Sequence, residues 1–284
     1  MKVGIHAGNK DINELIQYCS KTGVDQLCLA CSSIGGYDEK GYPDLDALRE
    51  VKGRLADAGI GVPVMVISKW PSPEMLLDKP EAQGELDNLS RTIECLGEAS
   101  VGTALLYLQL DRPKEKAEEA LYWERLLEFF RRIVDVAENS QVKIANHAYY
   151  LPHKLVRNAE GLKRILEAVP SPYNGVTYCP GLYQSGNDVY RAISLFREKI
   201  FFAHARDLRK RGEEFEEVFL GEGDIDFPRV LRLLQEVGYR GLICPEHLGP
   251  QKVPGENLQA RAVTYLKGLL SPNCLLYTSD AADE

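Results

Sequence analysis

Short apolar runs alternate with longer amphipathic stretches along this chain, and the alternation predicts the elements and their order. Compact apolar runs are typical of buried strands, whereas apolar positions three or four residues apart indicate a helix packed on one face. Strands are predicted at residues 2–6, 26–31, 61–68, 104–110, 143–149, 175–179, 200–206 and 242–247. Helices are predicted between them, at residues 11–21, 44–58, 84–98, 117–138, 157–169, 187–196, 226–237 and 257–270.

The seventh predicted helix has a clear start signal. Asp226 can accept a hydrogen bond from a free backbone N–H of the first turn, and Pro228 stands where a missing donor costs little. The preceding "GEGD" at 221–224 carries two acids that would repel phosphate, so it predicts a turn into this helix rather than a phosphate loop.

Strands that alternate with helices favour a parallel sheet, because parallel strands need crossover connections. Eight such units in about 270 residues predict a single (β/α)8 TIM barrel of the α/β class, over residues 1–273. A doubly wound open sheet is the alternative. An open sheet of that kind often carries a G-x-G-x-x-G run after its first strand. Here the corresponding segment, "IHAGNKD", has only one glycine, so the open sheet has no such support.

The last eleven residues, "CLLYTSDAADE" at 274–284, follow no pattern set by the rest of the chain. They resemble one translated reading frame of a sequencing adapter. We therefore interpret 274–284 as a non-native tail, exclude it from the fold prediction and expect it to make few packed contacts.

Charge and composition narrow the classes of function. The net charge is −8 and no long basic run occurs, which argues against a nucleic-acid partner. No apolar run approaches the roughly 20 residues of a membrane span, and the N-terminus lacks the apolar stretch of a secretory signal. Scattered cysteines within apolar runs fit reduced thiols, so a cytoplasmic location is expected.

Candidate metal ligands stand at the ends of the last four predicted strands: His147, Cys179, His204 and Glu246. Active sites of such barrels lie at the carboxyl ends of the strands, and imidazole, thiolate and carboxylate are ligands for transition metals. Taken singly, each histidine could be a hydrogen-bonded core residue and Cys179 a small buried apolar one. An unpaired carboxylate is costly to bury, so Glu246 favours a shared site.

These residues carry a resemblance to a known family. "NHAY" at 146–149, "NGVTYCPG" at 174–181, "FFAHARD" at 201–207 and "PEHLGP" at 245–250 resemble the mannonate dehydratases, within the xylose-isomerase-like barrels. The segment 216–241 is also similar. The resemblance implies that His147, Cys179, His204 and Glu246 hold a divalent metal, Mn²⁺ or Fe²⁺. It implies a hydro-lyase that converts D-mannonate to 2-keto-3-deoxy-D-gluconate in hexuronate catabolism.

Further residues at the strand ends are candidates for catalysis and substrate binding. His247 adjoins the candidate ligand Glu246, and histidine is the side-chain type that ordinarily exchanges protons near neutral pH, so His247 is the candidate acid or base. Arg206 shares a strand face with His204 and could clamp a substrate carboxylate, or else form an ion pair with a nearby acid. The candidate substrate-binding residues are His6, Lys69, Trp70, Gln109 and Asn146.

Three features differ from the family pattern. Glu246 stands where the family has an aspartate, Glu256 stands where it has a functional tyrosine, and the chain is shorter than typical members. Two alternatives to dehydration therefore stay open: a metal-dependent sugar isomerase or epimerase, and a non-catalytic barrel. The expected partner is a sugar acid or sugar, and outer helices could support a homo-oligomer.

Overall fold

The structure, a computed structural model, describes residues 1–8, 10–67, 71–77, 79–149, 151–183 and 189–271. Its strands are β1 (Lys2–Val3), β2 (Ile5–His6), β3 (Gln26–Ala30), β4 (Gly61–Ile67), β5 (Thr103–Tyr107), β6 (Lys143–His147), β7 (Asn174–Tyr178), β8 (Ile200–Ala205), β9 (Asp207–Arg211), β10 (Glu214–Val218) and β11 (Leu242–Pro245). Its helices are α1 (Ile12–Thr22), α2 (Tyr37–Lys40), α3 (Leu45–Asp57), α4 (Pro73–Leu76), α5 (Glu81–Glu98), α6 (Glu119–Ser140), α7 (Ala159–Ala168), α8 (Pro180–Tyr183), α9 (Val189–Phe196), α10 (Phe227–Glu236) and α11 (Leu258–Leu269). Lys69, Trp70 and the tail 274–284 lie outside the described residues.

The parallel strands follow one another around a nearly closed barrel, which confirms the predicted fold class. The order in the sheet is β1-β11-β8-β7-β6-β5-β4-β3-β2. The two ends of this order are halves of the first predicted strand: β1 pairs with β11, and β2 pairs with β3. Gly4 lies between the halves, where a Cβ atom would stand 2.3 Å from the Gln26 carbonyl oxygen. Only a glycine permits this approach of the two backbones.

Alternating side chains divide between two cores. One set fills the inside of the barrel: Cys28, Val64, Leu105, Ala145, Phe201, Phe202, Leu242 and Cys244. The other set faces outward and packs with the helices, as Ile144 and Ile243 do. The period-two geometry of a strand explains this division, except at the adjacent Phe201 and Phe202, where the register between β7 and β8 shifts. The same geometry decides which residues at the strand ends face the barrel axis.

The β9–β10 hairpin is the main element that the apolar pattern did not predict. It follows β8 directly and pairs antiparallel, with Glu217 opposite Leu208. The buried Asp207 carboxylate fixes the connection beyond the hairpin by accepting hydrogen bonds from the backbone N–H groups of Gly221, Gly223 and Ile225. The predicted turn at 221–224 therefore forms, with its backbone bound to the start of β9.

The predicted helices form with shifted ends, and the short helices α2, α4 and α8 are additional. The predicted strands over 104–110 and 143–149 end earlier, at Tyr107 and His147. The predicted cap of α10 is confirmed, because the Asp226 carboxylate accepts the Arg229 N–H at 3.0 Å. Within the described part of the chain, no helix combines the length and apolar character that a bilayer crossing needs.

Replacing the α10 cap gives a stability prediction. Asp226→Ala removes the acceptor of one helix-end N–H and should lower the free energy of unfolding by about 1 kcal/mol. Urea unfolding followed by circular dichroism measures this loss. Asp135→Ala is the control, since Asp135 is an exposed side chain within α6 that caps no helix. It should change stability by less than about 0.5 kcal/mol, and equal losses in the two variants would contradict the capping role.

Candidate active site

Four side chains that could bind a metal meet at the mouth of the barrel. His147, Cys179, His204 and Glu246 each offer one ligand atom, and these atoms all lie within 4.8 Å of one another. Glu246 Oε2 lies 3.1 Å from His204 Nδ1 and 3.8 Å from Cys179 Sγ. The structure therefore brings together the four residues that the resemblance implied as ligands.

Strand geometry explains why these four side chains converge. His147 is the last residue of β6, His204 lies near the end of β8, and Cys179 and Glu246 directly follow β7 and β11. Side chains two residues apart share a face, so His147 follows Ala145 toward the barrel interior. The register pairs Cys244 with His204, which places Glu246 beside the end of β8.

The Glu246 carboxylate controls the electrostatics of the mouth. Burial alone would raise its pKa, but the neighbouring imidazoles, led by His204, hold the pKa of Glu246 well below its usual range. Only 14% of this side chain is exposed. A buried carboxylate that stays ionised needs a cation or several donors nearby, and the neighbouring residues supply both.

Two more of the candidate ligands, His147 and Cys179, are buried at the barrel mouth. Neither ring nitrogen of the buried His147 has a hydrogen-bond partner among the described residues. Burial, followed by the charge of His204, lowers the pKa of His147 to about 3, so its imidazole is neutral and can bind a metal. Burial and the Glu246 charge raise the pKa of the Cys179 thiol, which a bound cation would oppose. The group is consistent with a divalent metal site.

His6, the last residue of β2, contacts this group. Its Nε2 atom lies 2.9 Å from His204 Nε2, on the opposite side of that ring from Glu246. Burial lowers the pKa of His6 to about 3, with the charge of His204 as the next cause. The predicted substrate-binding residue therefore contacts a candidate ligand directly.

A second cluster adjoins the first and contains both predicted catalytic residues. Glu217 of β10 forms an ion pair with Arg206 Nη2, and its Oε1 atom lies 3.0 Å from His247 Nδ1. Arg206 Nη1 lies 4.0 Å from Glu246 Oε2, so Arg206 connects the two clusters. Gly181 makes room for this arginine, because a Cβ there would stand 2.7 Å from Arg206 Cδ.

The backbone at His247 is strained. Its φ of 50° lies in the left-handed region, which residues with a Cβ rarely adopt. Such strain costs on the order of 1 kcal/mol or more and recurs at functional sites. The conformation turns the chain sharply after Glu246. As a result, Glu246 lies in the candidate metal group while the next residue, His247, contacts Glu217.

The other predicted binding residues lie in different surroundings. Gln109 Nε2 donates to Tyr149 Oη at 2.7 Å, and the Tyr149 ring lies 5.6 Å from the His147 ring. Asn146 does not join the cluster: its amide donates to Asn174 Oδ1 and Gly175 O, on the face opposite His147. Lys69 and Trp70 fall outside the described residues.

Sequence inspection missed three residues of the site. Tyr107 lies 4.9 Å from the His147 ring, centroid to centroid, and Tyr149 lies beside both. A signal existed for Tyr107, since it stands two residues after inward-facing Leu105 on β5. No such pattern marks Glu217, because "EFEEV" is typical of an exposed strand. Its partners, Arg206 and His247, come from other segments of the chain.

Comparisons with known proteins agree with this geometry. The family model for D-mannonate dehydratase (UxuA) matches residues 104–273, which include the four candidate ligands. The mannonate dehydratase of Thermotoga petrophila is 30% identical over 307 aligned residues, covering 92% of this chain and 84% of the relative. The enzyme of Thermotoga neapolitana is 33% identical, covering 79% of this chain and 74% of the relative.

Solved structures show the same fold. The mannonate dehydratase of Streptococcus suis superposes with a TM-score of 0.78 at 24% identity, covering 99% of this chain and 96% of that one. A D-tagatose 3-epimerase-like protein follows with a TM-score of 0.76 at 16% identity, covering 98% and 100%. From the family match and the identity to the Thermotoga relatives, this chain belongs to the mannonate dehydratase family.

Proposed function

We propose that this chain is a metal-dependent hydro-lyase that converts D-mannonate to 2-keto-3-deoxy-D-gluconate and water, in the cytoplasmic breakdown of hexuronates. The observation that carries the proposal is the group of His147, Cys179, His204 and Glu246 at the barrel mouth. Membership of the mannonate dehydratase family supports the choice of reaction.

The proposed ion is Mn²⁺ or Fe²⁺, although thiolate and imidazole also suit zinc. When bound, the ion polarises the substrate carboxylate and a neighbouring hydroxyl, which acidifies the proton on the carbon next to the carboxylate. His147, Cys179, His204 and Glu246 would hold it. Cys179 would bind as the thiolate, so loading should release a proton from this buried thiol.

The reaction needs one proton removed and one supplied. A base takes the proton from the carbon beside the carboxylate, an acid protonates the departing hydroxyl, and the resulting enol becomes the 2-keto product. His247 is our candidate for this proton transfer, because it directly follows Glu246 and its imidazole is partly exposed at the mouth. Its strained backbone turns its ring toward Glu217.

Glu217 would orient His247 for this role. A carboxylate beside Nδ1 accepts the N–H at that position, which leaves the lone pair of a neutral imidazole on Nε2. The ring is then held in the form that accepts a proton at Nε2, as in other His–carboxylate pairs of enzymes. We therefore include Glu217 with His247 in the proposed machinery.

Arg206 is the candidate for binding the substrate carboxylate. Its guanidinium lies between Glu217 and Glu246 and is almost fully buried. Planar guanidinium groups bind carboxylates with two parallel hydrogen bonds, and a buried environment strengthens the attraction. A sugar acid, rather than a neutral sugar, is the substrate that a cation at this position favours.

Sugar isomerisation or epimerisation on the same metal is the second candidate. Glu256 stands where the family resemblance places a functional tyrosine, and its carboxylate pairs with Arg261 at 3.1 Å. Losing a tyrosine would remove one acid from the site. An enzyme that moves a proton between neighbouring carbons, without loss of water, would need that acid less.

An activity assay separates these candidates. Protein loaded with Mn²⁺ or Fe²⁺ should convert D-mannonate to 2-keto-3-deoxy-D-gluconate, detected with thiobarbiturate, while chelator-treated protein should not. If the protein interconverts aldoses and ketoses but forms no 2-keto-3-deoxy acid, the dehydratase proposal is wrong and isomerisation is the function. A protein that forms neither product and takes up no metal would instead be a non-catalytic barrel.

Replacing the proposed thiolate ligand tests the metal site. Cys179→Ser keeps the size of the side chain but removes the thiolate. Losing a residue that only hydrogen-bonds a metal ligand lowers metal affinity about 10–100-fold, and losing a ligand itself should lower it further. Metal analysis after gel filtration measures the bound fraction. Cys244→Ser is the matched control, because Cys244 is equally buried inside the barrel but outside the ligand group. Equal metal content in both variants would remove Cys179 from the ligand set.

Replacing Glu217 tests the His247 pair. Glu217→Gln keeps the shape but weakens the acceptor for His247, so kcat for D-mannonate should fall at least about tenfold while metal content is unchanged. Glu216→Gln is the control, because Glu216 lies on the same strand and pairs instead with Arg211 at 3.1 Å. A normal kcat in Glu217→Gln would argue that Glu217 serves only the stability of the hairpin.

A further inference from the structure

His6 lies close to the site without belonging to the ligand group. It ends β2, on the side of the barrel opposite the strands β6 and β7 that carry His147 and lead to Cys179. Its Nε2 atom lies 2.9 Å from His204 Nε2, a distance that requires one nitrogen to donate and the other to accept. The contact therefore ties the tautomer of one ring to that of the other.

Packing holds the two rings in this arrangement. The ring of His6 meets Phe202 edge-on, with centroids 5.7 Å apart, and Phe202 meets His204 in the same way at 5.0 Å. The register of β2 with β3 pairs His6 with Cys28 and fixes the backbone beneath the ring. Neither imidazole can turn away without disturbing the inner core.

The other nitrogen of His204 faces the ligand group, 3.1 Å from Glu246 Oε2. Coordination through this Nδ1 atom needs its lone pair, so a neutral ring must then carry its proton on Nε2. In that arrangement His204 Nε2–H donates a hydrogen bond to Nε2 of His6. The proton of a neutral His6 ring must then be on Nδ1. Without a metal the order can reverse, with the proton of His204 on Nδ1, 3.1 Å from Glu246 Oε2, and His6 donating to His204 Nε2.

We infer that His6 is a positioning residue for the metal ligand His204: it fixes the tautomer of that ligand in the loaded protein and satisfies its Nε2 atom in both states. This inference rests on the metal site of the proposed function. Histidine suits the position because one imidazole nitrogen can act as donor or as acceptor, whereas lysine only donates and methionine does neither well. The role differs from the substrate binding predicted from the sequence.

Metal affinity of His6 variants tests the inference. His6→Met keeps an apolar side chain of similar length without the hydrogen bond, and should weaken Co²⁺ binding about 10–100-fold in chelator competition, as losing an outer-shell partner does. His6→Gln, whose amide can donate or accept, should restore most of that loss. The Co²⁺–thiolate absorption band of Cys179 should persist in both, because the ligands themselves are unchanged.

His153→Gln is the control for loss of a histidine, since His153 is exposed in a loop and lies 3.8 Å from Asp111. It should leave Co²⁺ affinity unchanged. Equal weakening in the Met and Gln variants would assign His6 to packing alone, and an unaffected Met variant would also overturn the inference. Thermal unfolding of the metal-free variants reports whether each one folds.

A second measurement needs no variant. In Zn²⁺-loaded protein with labelled histidines, long-range ¹H–¹⁵N spectra should show His204 protonated on Nε2 and His6 protonated on Nδ1. A His6 ring protonated on Nε2 in the loaded protein would overturn the inference. Neither measurement uses a sugar acid, so an inactive dehydratase leaves this result standing, whereas wild-type protein that binds no Co²⁺ would overturn the metal site and the role of His6 together.

Discussion

Keeping one carboxylate ionised inside a barrel mouth is the constraint on which this site depends. Glu246 is largely buried, and a buried charge without partners costs several kcal/mol. His204 lies on one side of it and Arg206 on another, and each of these brings a further partner: His6 for His204, Glu217 for Arg206. The two clusters are therefore consequences of the same electrostatic demand.

Much of the fold and the convergence of the four candidate ligands could be predicted from sequence, because the strand positions rest on local periodicity and the family resemblance singled out these four strand-end residues. Buried strands are continuous apolar runs, and a titratable residue at the end of such a run is conspicuous. His147 and Asn146 show the limit of this approach: they are neighbours at one strand end, yet the pleat turns one into the barrel and the other toward Asn174. If the exact bounds of the strand were known, its alternation would place His147 on the inward face with Ala145 and Asn146 on the outward face.

The contacts that could not be predicted join segments far apart in the chain. Glu217 reaches His247 across thirty residues, and His6 reaches His204 across 198. Such pairs depend on the closure of the barrel and on the path of the β9–β10 hairpin, which no local pattern encodes. The strain at His247 belongs to the same class, since a left-handed backbone persists only where the surrounding structure holds it.

The hairpin has a consequence for how this architecture can diversify. Its two strands form a separate sheet, so their length and side chains can vary without altering the hydrogen bonds of the barrel. The proposed metal ligands lie in or next to barrel strands, while Glu217 is carried by the appendage. Natural variation in this hairpin can thus exchange the carboxylate that pairs with Arg206 and His247 while the candidate metal ligands stay unchanged, and related barrels can acquire new reactions without rebuilding their cores.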